Sequence, residues 1–331
     1  MKKLFTILAV AATLVSCAKE EVVRQDLGEN IQFGSFVDNS TRADAATDPS
    51  YSTTADKGVA LTQFNVYGAV NGVNIFNGNV VSKGEAGYGA VWQLEGTKQY
   101  WINGADYEFV AVVDGNKKVG ENTITTTNLN KDTGVPTSID YTVDGATDLL
   151  CARVERKKDA TTGNTDTSLV QFGFKHLLSK VKFSVQNTTD AAATNYRIVL
   201  TEAQITGVYN NGQYDVVDGT WTASATRDYT LENLTVNSAA TQYHSSEVLL
   251  IPGNNVGVVV KANVQATDDA GTTWTTVSTI EKTFTNVLGE NGKLTANNAY
   301  HFAVTLGIGT EIQFTATTMP EWTNNDPIAL K

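Results

Sequence analysis

The chain has only two cysteines, five prolines and three histidines in 331 residues, and charged side chains make up 18 % of it. Each scarcity excludes something. With Cys17 and Cys151 alone, a disulfide-stapled scaffold is out of reach. So few prolines leave sheet interiors largely uninterrupted. His176, His244 and His301 each fall beside or within a strand pattern, with no carboxylate or cysteine at ligand spacing, which points to strand positions rather than metal binding or catalysis. No G-x-S-x-G, H-E-x-x-H, C-x-x-C or P-loop pattern occurs. Asp215/Asp218 and Asp268/Asp269 sit in turns beside Gly219 and Gly271 without EF-hand spacing, and read as solvated hairpin tips rather than calcium loops. A basic excess is also missing. The formal net charge of −11 argues against nucleic acid as a partner and disfavours an anionic membrane surface. No catalytic residue, metal site or cofactor is expected, and an enzyme is the least favoured class.

What is present begins at the N-terminus. Met1-Lys2-Lys3 precedes an apolar run from Leu4 to Val15, which closes in Leu14-Val15-Ser16-Cys17. A basic start, a short apolar run and a small residue before the break make a secretory signal over residues 1–16. The run is too short for a bilayer-spanning helix, which needs ~20 apolar residues. Cysteine at the cleavage point makes this a lipobox, with Cys17 acylated (palmitate being the expected chain) and the mature chain hung from a membrane by lipid. Ala18-Lys19-Glu20-Glu21 then resembles the surface-export signal of Bacteroidota-type lipoproteins. Losing Lys2 and Lys3 leaves the mature chain more acidic still, so its membrane link is covalent. Cys151 is left without a partner, and stability must come from packing.

Thr, Asn, Val, Tyr and Gly abound, the palette of sheets and turns. Apolar residues alternate at Phe64-Val66-Gly68-Val70, Tyr107-Phe109-Ala111-Val113, Val181-Phe183-Val185, Val256-Val258-Val260-Ala262-Val264 and Tyr300-Phe302-Val304-Leu306. Turn clusters separate such runs: Asn71-Gly72, Asn77-Gly78, Asp114-Gly115-Asn116, Asn210-Asn211-Gly212, Asp218-Gly219, Asp269-Ala270-Gly271 and Asn291-Gly292. No sustained helical period appears. The fold class is therefore all-β, a Greek-key sandwich or barrel, and the length fits about two domains. Residues 38–58 and 156–168 lack alternation, the second reading as a loop tip. A domain boundary is expected near residue 174, where an apolar strand runs into Lys175-His176-Leu177-Leu178-Ser179-Lys180. Trp92, Trp101, Trp221, Trp274 and Trp322 are spread singly and read as core anchors rather than a sugar-stacking face.

Taken in order, several strings resemble the fimbrillin family, the lipoprotein-derived subunits of type V pili. They are Asn30-Ile31-Gln32-Phe33, Ser40-Thr41-Arg42-Ala43, Phe64-Asn65-Val66-Tyr67-Gly68, Tyr100-Trp101 and Tyr107-Glu108-Phe109-Val110-Ala111. They continue through Asp148-Leu149-Leu150, Phe174 to Val181, Leu249-Leu250-Ile251-Pro252, Asn298-Ala299-Tyr300 and Ile312 to Trp322. The resemblance implies two tandem transthyretin-like Greek-key β-sandwich domains. It also implies assembly by strand replacement: an arginine-specific protease removes the first strand with its lipid, and a neighbouring subunit's extended segment fills the groove by β-augmentation. The implied course runs from a lipidated precursor at the cell outer membrane to an extracellular fimbrium that supports adhesion. Partners are then other fimbrial subunits, the protease, and a receptor on a host or bacterial surface.

The residues supply parts for this scheme. Ile31, Phe33, Ser35 and Val37 alternate as a strand that fits the groove. Arg42 follows in a polar stretch of the kind proteases cut, and cleavage before Ala43 would free that strand, whereas cleavage at Arg24 would not. Ile312, Phe314 and Ala316 alternate near the C-terminus, and Trp322, Ile328 and Leu330 add apolar anchors to a donor tail over residues 311–331. The organisation expected is a signal (1–16), a lipidated propeptide with the replaceable strand (17–42), an N-terminal sandwich (43–173) and a C-terminal sandwich (174–331). Residues 311–322 also fit a last strand of the second domain, and the protein would then be a non-polymerising anchor or tip subunit. An outer-membrane glycan-binding lipoprotein is the competing class; it would keep its lipid and cluster exposed tryptophans.

Overall fold

The computed structural model describes residues 29–37, 61–83, 92–114, 124–187, 195–231, 246–267, 272–289, 291–308 and 312–319. Among them the regular elements are strands. In chain order these are β1 (Phe33–Val37), β2 (Gln63–Val70), β3 (Val73–Lys83), β4 (Trp92–Leu94), β5 (Tyr107–Asp114) and β6 (Ile124–Leu129). Next come β7 (Pro136–Thr142), β8 (Leu149–Arg156), β9 (Val170–His176), β10 (Ser179–Asn187), β11 (Tyr196–Asp215) and β12 (Thr220–Thr230). The last are β13 (Ser246–Leu250), β14 (Gly257–Thr267), β15 (Trp274–Phe284), β16 (Ala299–Leu306) and β17 (Gln313–Met319). The protein is all-β, as its alternation predicts.

Three sheets form. The first runs β1-β9-β8-β5-β2-β3-β4, the second β13-β10-β16-β17, and the third β15-β14-β11-β7-β6 with β12 also on β11. Central strand β5 is buried on both faces, because its two sets of alternate side chains enter different cores. Tyr107, Phe109, Ala111 and Val113 join an aromatic-rich core with Phe33, Phe64, Phe76, Phe172 and Phe174. Val110 and Val112 enter a larger core shared with Val181, Phe183, Ile205, Val258 and Phe302. Burying each large apolar side chain contributes roughly 1.5–3 kcal/mol, which lets a chain without disulfides hold together. Cys151 belongs to the larger core, and burial pushes its thiol up to about 12, so it behaves as a small apolar residue.

Local chemistry sets the turns. Asn71 and Gly72 both have positive φ (46° and 80°), the backbone that a two-residue hairpin between β2 and β3 requires. Asp218-Gly219 likewise lies between β11 and β12, with the Asp215 carboxylate accepting from the N–H groups of Val217 and Asp218 at 2.8 and 2.7 Å. Two expected turns are not turns. Gly78, next to Asn77, lies inside β3 beside a register shift opposite Val66/Tyr67, so its left-handed φ serves a bulge. Asn210-Asn211-Gly212 lies within β11, where an added Cβ on Gly212 would come within 3.1 Å of the Trp221 ring. That glycine makes room for an aromatic on the neighbouring strand.

The chain leaves the first sheet at Leu177-Leu178, between β9 and β10. Strand pairing nonetheless crosses that point. β7 pairs antiparallel with β11 from Asn211↔Thr142 to Asp215↔Ser138, so β6 and β7 extend a sheet built mainly from later strands. Of the loop expected at 156–168, Arg156 ends β8 and the rest lies between β8 and β9.

Candidate functional site

The first strand is the last one at its edge of the first sheet, and it is held on two sides. Along one side β1 pairs parallel with β9, from Phe33↔Val170 to Val37↔Phe174. The ladder between β9 and β8 covers Leu150↔His176 and Cys151↔Lys175, so β1 serves the part of β9 that precedes it. Val170 N–H donates to the Gln32 carbonyl at 2.9 Å. On the other side the residues just before β1 meet the segment after β4. Ile31 N–H donates to the Gln99 carbonyl at 2.8 Å, and Trp101 N–H donates to the Glu29 carbonyl at 3.1 Å. Asn30 and Tyr100 form an antiparallel bridge between these bonds. The strand therefore lies in a groove with one parallel and one antiparallel wall.

Period-two geometry sends alternate side chains to the floor of this groove. Ile31, Phe33 and Ser35 are buried, at 3 %, 4 % and 1 % exposure, while Gln32 faces out. The Phe33 ring lies 5.8 Å from Phe172, 5.4 Å from Phe76 and 6.0 Å from Phe109, stacked on the first and edge-on to the others. Trp101 lies 4.8 Å from Tyr107 and 6.0 Å from Phe109, extending the same cluster towards the antiparallel wall. Gly34 has a specific packing role. A Cβ there would lie 2.3 Å from the Gln171 side-chain oxygen and 3.0 Å from a Leu169 methyl, because both side chains lie across its outer surface.

The sequence-derived strand is thus brought together as a unit. Val37 lies at the end of β1 opposite Phe174. The groove walls were not legible beforehand, since nothing local links residues 29–31 to 99–101 or Phe33 to Phe172. Ile312, Phe314 and Ala316 come together at the other end of the chain. Ile312 is buried, and Phe314 packs 5.0 Å from Phe284 and 5.7 Å from Phe302. Phe314 and Ala316 lie on β17, which pairs antiparallel with β16 from Ala299↔Met319 to Thr305↔Gln313 and forms an edge of the second sheet. Cys17, Arg42, Ala43, Trp322, Ile328 and Leu330 lie outside the described residues.

Two histidines are paired within the fold. The His176 imidazole Nδ1 is 2.5 Å from the Asp148 carboxylate, a pairing across the β8–β9 junction that sequence spacing did not reveal. His301 Nε2 is 2.6 Å from the Ser184 hydroxyl. Among the described residues no group of three or more His, Cys, Asp or Glu side chains is placed to hold a metal ion. Trp101 is buried in the aromatic core, and Trp92 and Trp221 pack partly buried against the two cores.

A family model described as fimbrillin-like matches residues 41–322. The chain belongs to the fimbrillin-like family. Its matched region begins just past β1, so the groove-filling strand lies upstream of the family match. The fimbrillin-like fold recurs in a fimbrial protein from Bacteroides vulgatus, with a TM-score of 0.53 and 14 % identity over 88 % of this chain and 98 % of that one. It recurs also in a candidate cell adhesion protein from Bacteroides uniformis, with a TM-score of 0.52 and 15 % identity over 88 % of this chain and 97 % of that one. Comparison with curated proteins gives no match. As a fimbrillin-like protein the chain is a fimbrial component of the cell surface and not an enzyme.

Proposed function

We propose that this protein is a structural subunit of a surface fimbria, assembled by protease-triggered strand exchange and supporting adhesion. The observation that carries the reading is the place of β1: an edge strand, anchored by buried Ile31 and Phe33, encoded upstream of Arg42 and of the family match. In this reading residues 1–16 are removed, Cys17 is acylated, and the lipidated precursor reaches the outer membrane. An arginine-specific protease then cuts between Arg42 and Ala43 and releases β1 with its lipid. The vacated groove exposes the Phe76, Phe109 and Phe172 rings and unpaired backbone on β9, an edge that attracts another strand. The incoming segment, drawn from residues 311–331 of a neighbour, restores both.

Energetics permit the exchange. Each large side chain reseated contributes roughly 1.5–3 kcal/mol, and each ladder bond adds about 0.5–1.5 kcal/mol. A replacement that matches β1 in these terms exchanges without net loss. The tandem-sandwich division at residues 43–173 and 174–331 belongs to the same proposal, with β6 and β7 bridging the two units.

One observation favours a second reading. β17 is paired with β16, and Phe314 is seated in its own core, so donating β17 would cost this subunit its own packing. A subunit that accepts a strand but donates none would be an anchor or tip. The test is to treat purified precursor with a trypsin-like protease, sequence the new N-terminus and run unboiled SDS gels. The polymerising reading expects an N-terminus at Ala43 and a ladder, with Arg42→Ala remaining monomeric. Cleavage without a ladder would favour the anchor or tip, and a product beginning upstream of Ile31 would contradict strand release.

A further inference from the structure

Three of the large apolar side chains left exposed among the described residues surround one end of β1: Tyr100 at 39 %, Ile102 at 57 % and Leu169 at 45 %. Register puts Tyr100 and Leu169 on one surface. Asn30 bridges Tyr100, so these two residues share a face. Continuing the parallel register back from Phe33↔Val170 sets Leu169 beside Gln32, and its methyl lies over Gly34 on the outer side. Ile102 is two residues beyond Tyr100 and is likewise exposed, while Trp101 between them is buried. Apolar side chains thus flank the Asn30–Gln32 segment on both walls, and they lie outside the groove rather than on its floor.

An isolated exposed leucine needs no explanation, but apolar groups flanking a replaceable strand on both sides do. Their exposed side chains lie on the face opposite the one on which Ile31 and Phe33 are seated. Any chain that fills the groove must continue past Glu29 or past Val37 to reach the body it comes from. At the Glu29 end it passes between Tyr100 and Leu169, with Ile102 just beyond.

We infer that Tyr100, Ile102 and Leu169 form a docking rim for the body of a second copy of this chain, whose strand occupies the β1 groove. This rests on the strand-exchange reading and adds to it a contact outside the groove. The rim covers its apolar side chains when the neighbour seats, slowing departure of the donated strand. Its three residues are separate from the floor residues that bind the strand itself.

The test uses full-length precursor cut with a trypsin-like protease, comparing wild type with a Tyr100→Ser, Ile102→Ser, Leu169→Ser variant. A Val73→Ser, Val217→Ser variant, altering exposed valines elsewhere, serves as control. Cleavage rates should match in all three, while the rim variant builds its ladder at least tenfold more slowly and the control builds it normally. Each single rim replacement, checked by thermal melting, stands in if the triple variant does not fold, and each should slow the ladder severalfold. Equal ladders from wild type and rim variants overturn the docking rim but leave strand exchange intact. Absence of a ladder from cleaved wild type overturns the rim for a second copy together with the polymerising reading, and leaves the anchor or tip.

Discussion

The ring planes of Phe33 and Phe172 lie 18° apart with centroids at 5.8 Å, one ring on a strand that ends the sheet and the other on the strand beside it. Phe172 also touches Phe64 and Phe174, at 5.5 and 6.0 Å, edge-on to the first and tilted to the second, so Phe33 joins an aromatic cluster in the sheet interior. The strand at the edge therefore contributes a ring to the core of the sheet.

Replacing Phe33 with Ala should cost the uncleaved protein about 3–5 kcal/mol, because the cavity opens among rings that cannot collapse onto it. Denaturant unfolding of the precursor measures this. A loss below about 1 kcal/mol would mean that the first sheet does not depend on β1.

Acid should weaken the second sheet through His301. Burial, then the neighbouring Lys182 ammonium, hold the His301 imidazole below its ordinary value, with Lys180 and Glu247 paired on the same sheet. A histidine whose folded value is depressed contributes stability above its unfolded value of ~6.5, and that stability is lost as pH falls through the folded value. His301→Gln should flatten the decline in melting temperature below pH ~6.5. An unchanged decline would assign the acid sensitivity elsewhere.

Deleting residues 323–331 should leave cleavage at Arg42 intact while abolishing polymer growth, if the tail donates. β17 ends at Met319, so the deletion spares its ladder with β16. Thermal melting should change little, and N-terminal sequencing with unboiled gels gives the rest. Normal ladders from the truncated protein would show that this tail donates nothing.

Much of the strand content was legible because burial repeats every second residue. Tyr107, Phe109, Ala111 and Val113 enter one core as their spacing demands. Ile31 and Phe33 point inward around exposed Gln32, and Ile312 and Phe314 do the same around Gln313. Partners were not legible. Pairing of β1 with β9 spans well over a hundred residues, and local periodicity carries no term for it. The Asn-Gly pairs show the same limit, since Asn71-Gly72 turns while Asn211-Gly212 runs straight through β11. Position beside Trp221, not the dipeptide, decides that glycine. Tyr100-Trp101, one string of the family resemblance, forms the second groove wall with one ring exposed and one buried, a placement that spacing alone does not give.

The central claim is that β1 must leave its groove before subunits join, and a disulfide that pins it there tests this most directly. Gly34 and Gln171 are register partners on β1 and β9, with the Gln171 side chain already filling the space next to Gly34. A Gly34→Cys, Gln171→Cys precursor, oxidised and then cut by a trypsin-like protease, should be cleaved at Arg42 as wild type is. It should stay monomeric on unboiled gels and form a ladder only after a reductant is added. A full ladder from the oxidised, cleaved protein would show that subunits join with β1 still in place, and would contradict the account.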